Sequence, residues 1–296
     1  MPCPQHRAKL KSSSCPIAQK NAGATAQQWH HGAMTRPCLL ALLLLSLLQA
    51  LGLHPTAQAQ APADLPTSQA LRRIRALGRQ PNQTGVAPLI GALQAGLPDR
   101  VTDAALAALG AQGGQQAAEV LRSFTSHRRS SARLAAYTAL ADNFAPRLRR
   151  SALEAGLGDG DPRVRSHCAT LLATHGTAAS VPRLLSAFDA GLDASAVAIG
   201  QLATSTQLEV FITRFSKQPL AVMLAGLEPA LTRRDVPPAT KLSLVTAVQD
   251  LGTASAASFL QQLLLSHDWS HAPAVRTALV SALAALPATS TTGAVQ

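Results

Sequence analysis

The sequence predicts an all-α protein, an α-solenoid (superhelix) of antiparallel helix pairs. Two observations lead to this fold class. The chain is 47% hydrophobic but only 3% aromatic, and its apolar residues are mostly alanine and leucine, which favour helices over strands. In addition, one apolar pattern recurs about every 30 residues, which is typical of repeat proteins.

Leucines mark the repeat. Leu77-Gly78 recurs as Leu109-Gly110, and leucines follow at similar steps at positions 140, 172 and 202. A single helix pair cannot bury its own apolar face, so successive pairs must stack to form a shared core. We therefore assign residues 67–288 to the solenoid.

The clearest unit covers residues 146–176. Its first helix is expected over Arg147–Leu157, and a turn over Gly158–Pro162 follows. Asp161 is suited to cap the second helix, and Pro162 to occupy its first position. The apolar face of that second helix has i, i+4, i+7, i+8 spacing and consists of Val164, Cys168, Leu171 and Leu172.

This second helix resembles the second helix of HEAT repeats, of the short bacterial kind also seen in phycobilisome-lyase-type proteins. The resemblance is carried by Asp161-Pro162-Arg163-Val164-Arg165, then Cys168-Ala169 and Leu172; the Val-Arg element recurs in Ala274–Leu279. In HEAT-like repeats an arginine after the core valine pairs with an aspartate of an adjacent repeat. The resemblance implies this inter-repeat role for Arg133, Arg165 and Arg276, with Asp161 as a partner.

The repeat pattern is poorest from about residue 203 to 236. Helices are expected near 205–216, 219–231 and 237–251, which is an odd number before the clear final pair. Either one helix is unpaired or these boundaries are wrong. Pro219, Pro229, Pro237 and Pro238 are expected to bend or break the array here.

A secretory signal peptide is predicted before the repeats, over residues 34–59. Arg36 precedes an apolar block that runs to Leu53, and Ala57-Gln58-Ala59 has the small-x-small pattern of a cleavage site. The block is shorter than the roughly 20 residues of a spanning helix. We therefore expect cleavage and export, to the periplasm or beyond, and no integral membrane protein after cleavage.

The flanking segments are assigned by exclusion. Residues 1–33 are either an extended n-region or an untranslated stretch before a true start at Met34; residues 60–66 are a linker and 289–296 a flexible tail. Five of the 26 basic residues and none of the 15 acidic residues precede the cleavage site, which leaves a net charge of +6. That moderate charge is no nucleic-acid signature by itself. Cys168 is the one cysteine after the site, and we interpret it as a small buried apolar residue.

A cluster of arginines is the main candidate site. If they share a face, they would form a cationic patch for carboxylate, phosphate or an acidic protein surface; the alternative is inter-repeat pairing and solvated surface. The predicted partner-binding residues are Arg128, Arg129, Arg147, Arg149, Arg150 and Arg163.

No catalytic, cofactor or metal site is predicted. His267 and His271 have i, i+4 spacing, but they lie just before Pro273 and no glutamate follows the first histidine, so a surface turn anchored by Trp269 is expected. Nucleophile-elbow, P-loop and dinucleotide-binding motifs are missing from the sequence.

These observations favour a protein-binding scaffold or adaptor in the bacterial envelope, without catalysis and without a small-molecule substrate. The alternative is a solenoid that binds a polyanion (nucleic acid, acidic glycan or lipid) through its central arginines. Nucleic acid is not the expected ligand, because the chain has few aromatic residues for base stacking. A lyase-type enzyme is a remote alternative that depends on the family resemblance alone.

Overall fold

The computed structural model describes residues 66–142 and 144–286. In these residues the chain forms α-helices, two short 3₁₀-helices and no strand, which confirms the predicted all-α class. The predicted segments 1–33 and 34–59, nearly all of the linker and the tail at 289–296 lie outside the described residues. The α-helices are α1 (Thr67–Gly78), α2 (Val86–Ala95), α3 (Asp99–Gln112), α4 (Gln115–Phe124), α5 (Ser130–Asp142), α6 (Pro146–Gly156), α7 (Pro162–His175), α8 (Val181–Asp189), α9 (Ala194–Leu202), α10 (Ser205–Ile212), α11 (Leu220–Thr232), α12 (Pro238–Gln249), α13 (Ala254–Ser266) and α14 (Pro273–Ala285).

The helices pack in two alternating sets. Helices α1, α3, α5, α7, α9 and α11 are here called the odd layer. Each contacts the next member of the set, and these contacts are the most extensive in the fold except between α5 and α7, where α6 packs against both helices. In the other set, α4 hardly contacts α6, and α6 hardly contacts α8. Open grooves are therefore left between α4 and α6 and between α6 and α8.

Small residues allow the odd layer to pack closely. A Cβ atom added to Gly78 of α1 would lie 2.8 Å from Cβ of Ala108 on α3, and one added to Gly110 of α3 would lie 2.8 Å from Cβ of Ala139 on α5. Both distances are shorter than real side chains tolerate. The glycine of each Leu-Gly pair therefore lets the next helix approach, while Leu109 is fully buried and Leu77 partly buried.

The unit at 146–176 has the predicted organisation. The side chain of Asp161 accepts a hydrogen bond of 2.9 Å from the backbone N–H of Arg163, and Pro162 is the first residue of α7. Val164, Cys168 and Leu172 are fully buried, whereas Leu171 is only partly buried. The predicted cap, turn and most of the predicted apolar face are thus confirmed.

The middle of the chain keeps its helices but changes the packing. All three helices predicted there exist, although the first ends at Ile212 because seven residues of turn precede Leu220. Pro219 and Pro237 immediately precede α11 and α12, Pro238 begins α12, and only Pro229 lies inside a helix.

The most extensive contacts pass from the odd layer to α12 and α14 after α11. Helix α7 belongs to the odd layer, but α14, which repeats its Val-Arg element, does not. One additional helix between them accounts for the odd number noted in the sequence.

The buried core divides into two clusters at α5. Buried apolar side chains form two clusters, and α5 contributes Ala139 and Leu140 to the first and Tyr137 and Ala141 to the second. None of the helices in residues 66–142 and 144–286 combines the length and apolar character needed to cross a bilayer.

Candidate functional site

Arg133 and Asp159 form the most enclosed ion pair among the described residues. The Nε and Nη2 atoms of Arg133 on α5 each donate a 2.8 Å hydrogen bond to the carboxylate of Asp159, in the turn before α7. Nη1 of Arg133 also donates to the carbonyl oxygen of His127 at 2.9 Å. The two side chains are only 15% and 6% exposed, so this pair ties two neighbouring repeats together from a largely buried position.

Two effects on the carboxyl group of Asp159 oppose each other. Desolvation raises its pKa, but the hydrogen bonds from Arg133 and from the backbone N–H of Asp161 outweigh that effect and hold the pKa below its ordinary value. The carboxylate is therefore ionised and fully engaged within the protein, which makes it unsuitable as a free acid or base.

Arg165 repeats half of this arrangement. Its Nη1 donates to the carbonyl oxygens of Asp159 at 2.9 Å and Gly160 at 3.3 Å, six and five residues earlier, as Arg133 does in its own turn. It forms no ion pair with an adjacent repeat among the described residues.

The sequence suggested Asp161 as a partner of the inter-repeat arginines, but in the structure it pairs with neither Arg133 nor Arg165. Asp161 directly precedes α7, so its carboxylate caps that helix and binds Arg163 two residues later. The hydrogen bonds from Arg163 lower the pKa of Asp161 to about 2.

Arg276 does not form the inter-repeat ion pair that the resemblance implied. It is exposed on α14, and within the described part of the chain its side chain contacts no carboxylate. The physical reason is its place in the array, since no turn of a following repeat lies within the described residues.

The predicted cationic patch is divided among several surfaces. Arg129 pairs with Asp99 and Asp103 of α3, and Arg163 pairs with Asp161 and donates to Ser130 of α5 at 3.3 Å. These aspartates neutralise the arginines near the turns before α5 and α7. Arg128 in the same region is exposed, and its side chain has no partner among the residues that the structure describes.

The three arginines of α6 point to different neighbours. Arg149 is half-buried against Nδ1 of His175 at 3.1 Å, and Arg150 lies 3.8 Å from Glu154 on its own helix. Arg147 alone faces the open groove between α4 and α6. The three positions cannot share one face, since position 149 lies about 160° around the helix from position 147.

The open groove between α4 and α6 has a volume of about 780 Å³. Tyr137 of α5, the single tyrosine of the chain, lies at its floor and is 5% exposed. Burial raises the pKa of the Tyr137 phenol. The residues that line the groove are Glu119, Arg122, Ser123, Thr125, Ser126, Tyr137, Arg147, Leu148, Ser151, Ala152 and Ala155.

A more apolar space continues from this groove. A neighbouring cavity of about 300 Å³ shares Glu119, Arg122 and Leu148 with it and adds Ala118 and Phe144. The two cavities together form what we call the α4/α6 groove, with arginines and hydroxyl groups over Tyr137 and apolar side chains near Phe144. Such a surface suits a ligand that has both carboxylates and apolar side chains.

Sequence reasoning missed Arg122. It is exposed in the last turn of α4, lines the groove together with Arg147, and has no acidic partner among the described residues. One signal was present in the sequence. Arg122 lies 25 positions before Arg147. A similar spacing of 26 positions brings Arg133 and Asp159 together across neighbouring repeats.

The other candidates have structural roles. Trp269 is buried in the turn between α13 and α14 and donates a hydrogen bond of 3.2 Å to the carbonyl oxygen of Leu263, which confirms the predicted anchored turn. The ring centroids of His267 and His271 lie 6.3 Å and 6.5 Å from that of the indole. Cys168 is fully buried, and desolvation raises the pKa of its thiol to about 12. Across residues 66–142 and 144–286, no three metal-binding side chains come together.

A scan against models of protein families and a search of curated proteins found no match to this chain. Its function is therefore inferred from its own residues.

Proposed function

We propose that this chain is an exported HEAT-like repeat protein that serves as a protein-binding scaffold or adaptor in the bacterial envelope, without catalysis. The observation that carries this proposal is the α4/α6 groove. It is open to solvent, runs between two helices that hardly contact each other, and holds two arginines without acidic partners in the described part of the chain. A stacked array of helices makes such a groove rigid, which favours binding of another protein.

The signal peptide at residues 34–59 supports export, and the Val-Arg elements of α7 and α14 support the HEAT-like relationship. The alternation of helices and the close approach at Gly78 and Gly110 agree with a repeat array.

Polyanion binding, the alternative, loses part of its support. Arg129, Arg133 and Arg163 are paired with aspartates, so they are not free to bind phosphate or sulfate groups. No observation on the described residues favours the lyase-type enzyme.

The test is affinity purification of the C-terminally tagged full-length chain from its native envelope fraction, followed by mass spectrometry. We expect one protein to be recovered in an amount close to that of the tagged chain. It should be lost from the Arg122→Glu/Arg147→Glu variant, because charge reversal in the groove replaces attraction by repulsion.

The matched control is Arg72→Glu/Arg276→Glu, which changes the net charge equally at two exposed sites far from the groove in sequence. It should retain the partner. Recovery of no protein in near-equal amount, from a chain with an intact helical circular dichroism spectrum, would contradict a stable protein partner.

A further inference from the structure

We infer that the α4/α6 groove binds an extended, acidic segment of the partner protein, in which glutamate or aspartate alternates with apolar residues. This inference deepens the proposed scaffold function and rests on it. The carboxylates would bind Arg122 and Arg147, and an apolar side chain would enter the space beside Phe144 and Leu148.

The unpaired state of Arg122 and Arg147 is the first step. Two other arginines of the same repeats have carboxylate partners: Arg129 has Asp99 and Asp103, and Arg133 has Asp159. Arg128 has no such partner among the described residues, but it does not line the groove. Arg122 and Arg147 line one groove without an ion pair between either of them and any described residue. Guanidinium groups form strong, directional pairs with carboxylates, so these two are the groups that an acidic ligand would meet.

The other charged group of the groove limits where an acid binds. Glu119 also lines it, and its Oε1 accepts a hydrogen bond of 2.9 Å from Gln115. With two arginines against one glutamate, the groove keeps a net positive charge. An acidic side chain next to Glu119 would be repelled, which favours carboxylates spaced along the groove over a continuous acidic run.

The length of the groove matches a short extended segment. The 11 residues of α6 span about 16 Å at the rise of an α-helix. An extended chain advances about 3.3 Å per residue, so about five residues fill the groove. Alternate side chains of an extended segment point in opposite directions, which suits a groove with hydroxyl groups at its rim and Leu148 and Ala152 on its α6 wall.

Hydroxyl groups are available for the backbone of that segment. Ser123, Ser126 and Ser151 are exposed on the two walls. Ser126 and Ser151 can each donate or accept a hydrogen bond, whereas Ser123 donates to the carbonyl oxygen of Val120 at 2.7 Å and is available as an acceptor. A polar backbone that enters the groove therefore finds hydrogen-bond partners on both sides, so it is not left unsatisfied over Tyr137.

The test uses fluorescence anisotropy of three fluorescein-labelled peptides with the processed full chain. In the first peptide glutamate alternates with leucine; in the second, glutamine replaces glutamate; in the third, serine replaces leucine. We expect saturable binding of the first peptide at micromolar concentrations, and at least about tenfold weaker binding of either of the others, because each lacks one of the two kinds of contact.

Protein variants and hydrogen exchange locate the site. Arg122→Glu/Arg147→Glu should weaken binding of the first peptide by about tenfold or more, whereas Arg72→Glu/Arg276→Glu should leave it within about twofold. Amide hydrogen exchange should show protection by the peptide in α4, in the turn that follows it and in α6. Equal binding of the glutamate and glutamine peptides, or protection of other helices instead, would overturn the inference.

The two proposals fail in different ways. If the envelope partner co-purifies equally well with Arg122→Glu/Arg147→Glu, the scaffold function stands and the groove is not its binding site. If the peptide binds in the groove as expected but no envelope protein co-purifies with the wild-type chain, the groove chemistry stands and the scaffold function does not.

Discussion

Replacement of Asp159 by asparagine tests whether the Arg133–Asp159 pair holds neighbouring repeats together. Asparagine keeps the size of the side chain and can still accept the hydrogen bond of 2.8 Å from the backbone N–H of Asp161. It removes the charge that faces the guanidinium group of Arg133, which is only 15% exposed. The partner cation is then left largely buried without a counter-ion.

The expected loss of unfolding free energy follows from that burial. Exposed ion pairs contribute about 1 kcal/mol or less, and breaking a buried pair costs about 3–5 kcal/mol. Since the side chains of Arg133 and Asp159 are 15% and 6% exposed, we expect a loss of about 2–3 kcal/mol. Asp161→Asn is the matched control in the same turn. It should cost clearly less than Asp159→Asn, because asparagine is an equally good N-cap and the ion pair of Asp161 is with Arg163, whose side chain is 76% exposed.

The assay is equilibrium urea unfolding followed by far-UV circular dichroism, with Arg133→Gln and the double variant completing a mutant cycle. We expect a coupling energy of about 1–3 kcal/mol between Arg133 and Asp159. The pKa of Asp159 is lower in the folded chain than in the unfolded chain. Its stabilisation is therefore present above about pH 4 and is lost as the pH falls towards the folded pKa.

A result in which Asp159→Asn costs no more than Asp161→Asn would refute the reasoning. So would purely additive effects in the mutant cycle, because they would mean that the two side chains do not act as a pair.

Three other expectations concern packing, reactivity and pH. Gly110→Ala should destabilise the chain by about 1–3 kcal/mol, since the added Cβ would lie 2.8 Å from that of Ala139. Gly91 has open space around it, so Gly91→Ala should stabilise the chain by about 0.5–1 kcal/mol. The same urea assay measures both. The thiol of Cys168, buried and with a pKa raised to about 12, should react with a thiol reagent at neutral pH only as urea unfolds the chain, and rapid native reaction would contradict its burial. Burial lowers the pKa of His167, so its neutral form contributes stability that is present above about pH 6.5 and lost as the pH falls through the folded pKa. His167→Gln should flatten that part of the stability–pH curve. An unchanged slope would exclude His167 as a source of the pH dependence.

Local features of the chain were predictable because neighbouring residues determine them. The capping of α7 by Asp161 and the start at Pro162 depend on backbone groups within three residues. The buried face of Val164, Cys168 and Leu172 follows from helix periodicity. The recurrence of Leu-Gly also predicted the repeat, although not that Gly78 and Gly110 are contact points between helices.

The candidate site was only partly predictable. Among the six arginines assigned to a partner-binding patch, Arg147 faces the α4/α6 groove, whereas Arg149 and Arg150 turn to His175 and Glu154. Arg122 was not considered at all. Which arginines share a surface depends on the rotation of each helix about its axis and on the tilt between repeats, and neither is encoded in the spacing of the arginines alone.

By itself the sequence determined the helical class, the repeat and the caps, because each arises from contacts between residues close along the chain. Only the tertiary structure decided that Arg133 pairs with Asp159 rather than Asp161, that the closest packing moves to α12 and α14 after α11, and that α4 and α6 leave a groove between them. These are contacts between residues about one repeat apart, and they follow from how closely neighbouring helices approach at small residues such as Gly110 and Ala139.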